Sequence, residues 1–179
     1  AALFVHSTKF MHPHPVSAVR GQSAESGPSP FREVTQINIV PTLSLLMGVP
    51  IPFENVGALI PELFVEINHH RAGGDTASIE VDHRVLLDSW KNLLRSAALN
   101  AFQVYQYLTV YDRDGNSDTF SSAELAALRQ QLMDGVDRLK ALRSANTDIN
   151  EIVGVFQVFE QFLTDSYRLC LRKWTTFNL

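Results

Sequence analysis

TQINIVPTLSLLMGVPIPFENVG, residues Thr35 to Gly57, decides how the first part of this chain is read. Asn38 suits a helix N-cap, since its side-chain oxygen can accept from the backbone N–H groups two or three residues on. Pro41 falls in the first turn, where its missing N–H costs nothing and its fixed φ suits a helix. Leu43, Leu45, Leu46 and Met47 supply an apolar surface. Gly48 can take the left-handed conformation that ends a helix, and Pro50 and Pro52 forbid continuation. The stretch therefore predicts a short buried helix over about Asn38–Met47 and a stiff extended exit to Gly57.

Upstream, residues 2–6 (ALFVH) read as a strand of the kind buried inside a sheet covered on both faces. Residues 7–33, rich in Pro, Ser, Gly and His, read as a surface loop. Downstream, Leu59–Ile67 suggests another short helix with Pro61 near its start. Asn68–Ser78, NHHRAGGDTAS, marks a change in composition around Gly73-Gly74-Asp75.

Beyond that change the apolar period becomes helical. Leu86, Trp90, Leu93, Leu94, Ala97, Ala101, Phe102, Tyr105 and Leu108 recur at three-and-four spacing between about Val81 and Tyr111. The pattern returns from Ser121 to about Ser144 through Leu125, Leu128, Leu132, Val136, Leu139 and Leu142. It returns again from Ile149 to about Trp174 through Ile152, Val153, Phe156, Phe159, Phe162, Leu163 and Tyr167. Ser121-Ser122-Ala123-Glu124 reads as a capping box for the second of these helices. Three amphipathic helices with short connections should pack as an antiparallel bundle or hairpin. The fold expected is thus mixed: a partial α/β unit over 1–67, a linker over 68–80, and an all-α three-helix unit over 81–179.

Charge and composition narrow the function classes. The formal net charge is −4 and no basic stripe with interleaved aromatics occurs, so a nucleic-acid partner is not expected. The single cysteine, Cys170, permits no internal disulfide and sits among apolar neighbours, as a structural thiol does. Val34 to Phe53 carries no charge over 20 residues, long enough on paper to cross a bilayer. Gln36, Asn38 and three prolines interrupt it, and the freed backbone groups would be costly in lipid. It reads as buried protein.

The candidate chemistry is sparse. Asp112, Asp114 and Asn116 match positions 1, 3 and 5 of a calcium-binding EF-hand loop, but Gly115 and Ala123 miss the required glycine and bidentate glutamate. A polar turn between helices is the better reading. His12 and His14 flank a proline, and His69 and His70 are adjacent; neither pair has the i, i+4 spacing of two ligands on one helix face. His6 ends the expected strand, and His83 opens a helix. Glu62 and Glu66 share an i, i+4 spacing typical of a solvated face. Arg168, Arg172, Lys173 and Trp174 combine cations with an interfacial aromatic, as membrane anchors do, or else simply complement a helix C-terminus. No catalytic, cofactor-binding or metal-ligating residue is assigned.

The pattern Gln36-Ile37-Asn38-Ile39-Val40-Pro41-Thr42-Leu43, continued through Gly48-Val49-Pro50, resembles the helix after the last metal-binding loop in the alkaline phosphatase superfamily. With Val49-Pro50-Ile51-Pro52-Phe53-Glu54-Asn55-Val56-Gly57 attached, it looks like the GPI ethanolamine phosphate transferases, nearest the third type. Asn38 departs from that superfamily, which usually carries Asp there. Ala2–Ser7 resembles the strand after the family's Asp-His-Gly metal loop, and Lys173–Leu179 the approach to its membrane domain.

The resemblance implies a piece of a multi-spanning endoplasmic reticulum protein with a lumenal catalytic domain. It implies transfer of phosphoethanolamine from phosphatidylethanolamine to a mannose of the GPI glycan, the third mannose for this subgroup. It also implies a threonine nucleophile and two zinc ions, whose ligands would all lie upstream of the position matching Ala1. The chain itself is then expected to be non-catalytic, to bind no cofactor, and to have the rest of the catalytic and membrane domains as its partners. A stand-alone helical adaptor is the alternative expectation.

Overall fold

The computed structural model describes residues 34–65, 83–113, 119–142 and 148–174. A 3-10 turn (Gln36–Asn38) leads into helix α1 (Ile39–Met47). An irregular loop and a second 3-10 turn (Pro61–Leu63) follow. Three long helices complete the described fold: α2 (His83–Arg113), α3 (Ser122–Leu142) and α4 (Ile149–Trp174). The expected strand at 2–6, the loop at 7–33 and the linker at 68–80 lie outside the described residues.

The mixed fold class is corrected by this arrangement. Helix accounts for 82% of the described residues, and no strand occurs among them, so the architecture is all-α. Between Thr35 and Val65, the described part of the unit expected to be α/β, the backbone does not pair as a strand. After α1 the prolines at 50, 52 and 61 remove ladder donors. The loop's backbone groups are satisfied by side chains instead of by a neighbouring strand, as described below.

The long helices follow their apolar period. α2 buries Trp90, Leu94, Ala97, Ala101, Val104 and Leu108, an alternation of four and three that keeps one stripe facing the core. α4 buries Ile152, Val153, Phe156, Phe159, Phe162, Leu163, Leu169 and Cys170. Its phenylalanines and Trp90 are almost wholly removed from water, each contributing roughly 1.5–3 kcal/mol by burial. Trp90 meets Phe156 edge to face at 5.9 Å between ring centroids. α3 buries only Leu128, Leu132 and Gly135, so it is the most thinly attached of the three.

α4 packs against both other long helices, and α2 and α3 touch each other less. Contacts fix the directions. Lys173 reaches Glu124, Asp165 meets Gln131, and Phe159 lies against Gly135, so α3 and α4 run antiparallel. Trp90 pairs with Phe156 while Tyr107 lies near Cys170, so α2 and α4 run parallel. The result is an up-down-up bundle. The close crossing of α3 on α4 depends on Gly135, where a Cβ would stand 3.0 Å from the Phe159 ring.

The boundaries of the three long helices match the sequence reading closely, and α4 spans the expected Ile149–Trp174. The short helix expected over Leu59–Ile67 is instead a 3-10 turn, Pro61–Leu63, in its described part. The capping box forms: Ser121 N–H donates to Glu124 Oε2 at 2.9 Å, and Glu124 N–H donates to Ser121 Oγ at 3.2 Å. Gly48 ends α1 at φ 68°, with its N–H on Leu45 O and Val49 N–H on Ser44 O, the paired bonds of a Schellman stop.

Three other expectations fail locally. Asn38 makes no side-chain cap bond and already has helical φ and ψ. Phe102 is 42% exposed, one step outside the buried stripe of α2. Most consequentially, α1 is turned over: it buries Pro41, Thr42 and Ser44, and exposes Val40, Leu43, Leu46 and Met47.

Candidate functional site

The densest polar construction among the described residues is the joint that fastens α1 and its exit loop to α2. Six backbone groups of the loop are met at 2.7–3.1 Å by side chains of Asn38 and Thr42 on one side and Asn100 and Gln103 on the other. Asn38 Oδ1 accepts from Ala58 N–H at 3.1 Å, which is why Asn38 is unavailable as a cap. Thr42, donating its hydroxyl to the Asn38 carbonyl one turn back, accepts from Ile60 N–H at 2.9 Å. That double role accounts for a threonine buried on α1.

From the other side, Asn100 projects out of the middle of α2 and is fully buried. Its Oδ1 accepts from Leu59 N–H at 2.9 Å, and its Nδ2 donates to the Gly57 carbonyl at 3.1 Å. One amide thus replaces the two bonds that a strand neighbour would have made. Three residues on, Gln103 Nε2 lies 2.7 Å from the Phe53 carbonyl and 2.9 Å from that of Asn55. Asn55 closes the set, accepting from Gly57 N–H at 2.8 Å and donating to the Ile37 carbonyl at 3.3 Å.

Gly57 is required by close approach. A Cβ there would lie 2.3 Å from the Ile37 carbonyl oxygen, a backbone atom with nowhere to go. Around this polar seam Val56, Leu59 and Val65 join the core of the bundle, so water is excluded from the Asn100 bonds. The arrangement holds a loop in place. It presents no nucleophile beside a base and no converging carboxylates.

A second feature is an open cleft of about 390 Å³ between α3 and α4, lined by Glu124, Gln131, Asp165 and Arg172 with Ala127, Leu128 and Leu169. Its charges are engaged with one another. Glu124 faces Lys173 at 3.3 Å and Arg172 at 3.9 Å, and Asp165 accepts from Gln131 and Gln161. The Ser121 N–H and hydroxyl hold the Glu124 carboxyl below the usual range, with Lys173 adding to the effect.

The residues singled out in the sequence are scattered. Asp112 stands near the end of α2, while Asp114 and Asn116 lie outside the described residues, as do His6, His12, His14, His69, His70 and Glu66. His83 is the exposed first residue of α2, and Glu62 lies in the second 3-10 turn. Cys170 is buried, and burial pushes its thiol up to about 12. Arg168 is exposed and pairs loosely with Asp165 at 3.7 Å, whereas Trp174 packs partly on the core. No three His, Cys, Asp or Glu side chains converge among the described residues as a metal site would need. No described helix is long and apolar enough to cross a membrane.

What sequence reasoning missed is the joint itself. Asn100 and Gln103 interrupt an amphipathic pattern without a charge, and a buried asparagine within the apolar stripe was the available signal.

Similarity to known proteins agrees with the motif. Over 180 residues and its whole length, the chain is 28% identical to "GPI ethanolamine phosphate transferase 3, catalytic subunit" of Homo sapiens. The mouse protein of the same name is equally similar over 183 residues. "GPI ethanolamine phosphate transferase 3" of Schizosaccharomyces pombe is 54% identical over 37 residues, covering 21% of this chain. The chain spans only 14% of the length of the two mammalian proteins. No family model matches the chain, and no solved structure does.

Proposed function

We propose that this chain is a segment of a GPI ethanolamine phosphate transferase of the third type. In this reading the whole polypeptide moves phosphoethanolamine from phosphatidylethanolamine to the third mannose of the GPI glycan. The observation that carries the reading is similarity along the entire chain to transferases about seven times its length. The motif at 35–57 supports it, because α1 and its loop are built as a fixed unit and not as a passing linker.

The segment's own part is structural. The described residues offer no donor set fit for the paired zinc ions that the family resemblance implies, so no chemical step is assigned to them. They hold the α1 loop on a three-helix bundle, and the bundle would carry that loop's position toward the membrane domain from the lumenal side of the endoplasmic reticulum.

The test is complementation of cells lacking GPI ethanolamine phosphate transferase 3 with the natural polypeptide that contains these residues. Labelled phosphoethanolamine should reappear on the GPI glycolipid, on the third mannose by fragment mass. The 179-residue chain alone should restore nothing. Failure of the long polypeptide to transfer, or zinc-dependent turnover by the short chain, overturns the reading.

A further inference from the structure

α3 is a helix whose order is local and whose attachment is shallow. Ala, Leu, Arg, Gln, Met, Glu and Lys fill most of Ser122–Leu142, and each is a strong helix former. The capping box closes its first turn. Asp134 pairs with Arg138 and Asp137 with Lys140, both at 3.0 Å, acid before base along the helix surface. Glu124 in the first turn and Lys140 in the last complement the helix dipole. None of these contributions needs a neighbouring helix.

What ties α3 to the bundle is slight by comparison. Three of its 21 residues are buried, against ten on α2 and eleven on α4. Leu128 and Leu132 are the large side chains it sinks into the core, while Leu125, Leu139 and Leu142 are only partly covered. The other ties to α4 are polar: Glu124 to Lys173 at 3.3 Å and to Arg172 at 3.9 Å, and Gln131 to Asp165 at 3.2 Å. Partly exposed groups of this kind trade partners with water at little cost. The open cleft of about 390 Å³ lies in the same seam, so solvent already reaches between the two helices beside Leu128 and Leu169. α2 and α4, by contrast, share the Trp90–Phe156 contact and the aromatic core.

We propose that α3 is a flap, lifting from α4 as one helical unit while α2 and α4 stay paired. Elements with few buried apolar side chains open first, and as contiguous units. Lifting uncovers the surface of α4 beneath it, with Phe159 under Gly135 and Leu169 beside the cleft. Both side chains are closed off when the flap is down, at 0% and 3% exposure. The polar ties set the register in which the flap closes, and the self-sufficient helix lets it return to that register without refolding.

Hydrogen–deuterium exchange on the natural polypeptide in detergent, over a series of low urea concentrations, tests the flap. Peptides within residues 125–139 should exchange together, at least ~100-fold faster than those of 94–108 and 152–170. Their urea slope should be above zero and below that of the other two helices. Joining Gln131→Cys to Asp165→Cys with a short cleavable bis-maleimide should slow α3 at least ~10-fold, and cleaving the link should restore the rate. Exchange of α3 at the rate and slope of α2 and α4 overturns the proposal, because the helix then leaves only in global unfolding. Rates that scatter along α3 without urea dependence, or that the link leaves unchanged, overturn it as well, since they mark fraying in place.

Discussion

Replacing Asn100 with alanine tests the joint where it is least forgiving. The side chain is fully buried and bonds two backbone groups, Leu59 N–H at 2.9 Å and the Gly57 carbonyl at 3.1 Å. Gly57 and Leu59 are themselves buried, so neither group regains water freely. Leaving a buried polar group unmatched costs about 1–3 kcal/mol, and the vacated amide volume could admit a water that relieves one of the two. The expected loss is therefore about 2–4 kcal/mol, a large share of the ~5–15 kcal/mol typical of a domain. Urea unfolding followed by far-ultraviolet circular dichroism measures the loss. Hydrogen exchange locates it: the Leu59 amide should lose protection far more than amides of α4. Asn100→Asp provides the sign test. It keeps the acceptor for Leu59 but sets a carboxylate oxygen against the Gly57 carbonyl, so it should not rescue. A loss under about 0.5 kcal/mol with Leu59 exchange unchanged would show that the two bonds do not hold the loop.

Two glycines should respond with opposite signs. Gly135→Ala sets a methyl 3.0 Å from the fully buried Phe159 ring, which has little room to yield. After a helix-propensity gain of up to ~1 kcal/mol it should still cost about 1–2 kcal/mol in thermal or urea unfolding. Gly154→Ala, in open space within α4, should stabilise by about 0.5–1 kcal/mol. Ser121→Ala removes the cap of α3 and should cost about 0.5–2 kcal/mol, read as fraying of that helix by hydrogen exchange. Because its own bonds hold the Glu124 carboxyl low, this residue's contribution to stability is present above the ordinary carboxylate range. It is lost as pH falls through the lowered value, so Glu124→Gln should flatten the acid limb of a pH–stability curve. Cys170 should resist maleimide at pH 8 in the native chain and react fully in urea, since burial keeps its thiol protonated. Labelling of the folded chain at the rate of a free thiol would refute its burial.

The helical part of this fold was legible because its information is local and repeated. Trp90, Ala97, Ala101, Leu108 and the phenylalanines of α4 recur at a spacing that only a helix brings to one side. The capping box at Ser121 and the glycine stop at Gly48 are also written within a few residues of where they act. Phe102 misled because it lies on the far side of Ala101 from the buried line through Ala97, Ala101, Val104 and Leu108, and its apolar character alone does not show that. The joint was harder to read for the opposite reason. The place of Asn100 in the apolar stripe, three after Ala97 and four before Val104, marks it as inward-facing. Its partners lie 41 and 43 positions away, and nothing local names them. The all-α outcome belongs to the described residues: the strand expected over 2–6 lies outside them, and the backbone of 57–60 finds its partners in the side chains of Asn38, Thr42 and Asn100.

The inversion of α1 carries a different lesson about what burial means. Apolar residues at 40, 43, 46 and 47 argue for contact, and that inference from Leu and Met is sound. It was wrong only about the surface contacted within these residues, because hydrophobicity says that a side chain seeks cover and not who provides it. The polar arc settles the orientation. Thr42 faces Ile60 and bonds back to the Asn38 carbonyl, and with it inward the helical period sends Leu43, Leu46 and Met47 to the far side. A helix whose hydrogen bonds dictate one face and whose hydrophobic surface is left on the other has two neighbours to satisfy. The described residues contain the polar one and leave the apolar face uncovered.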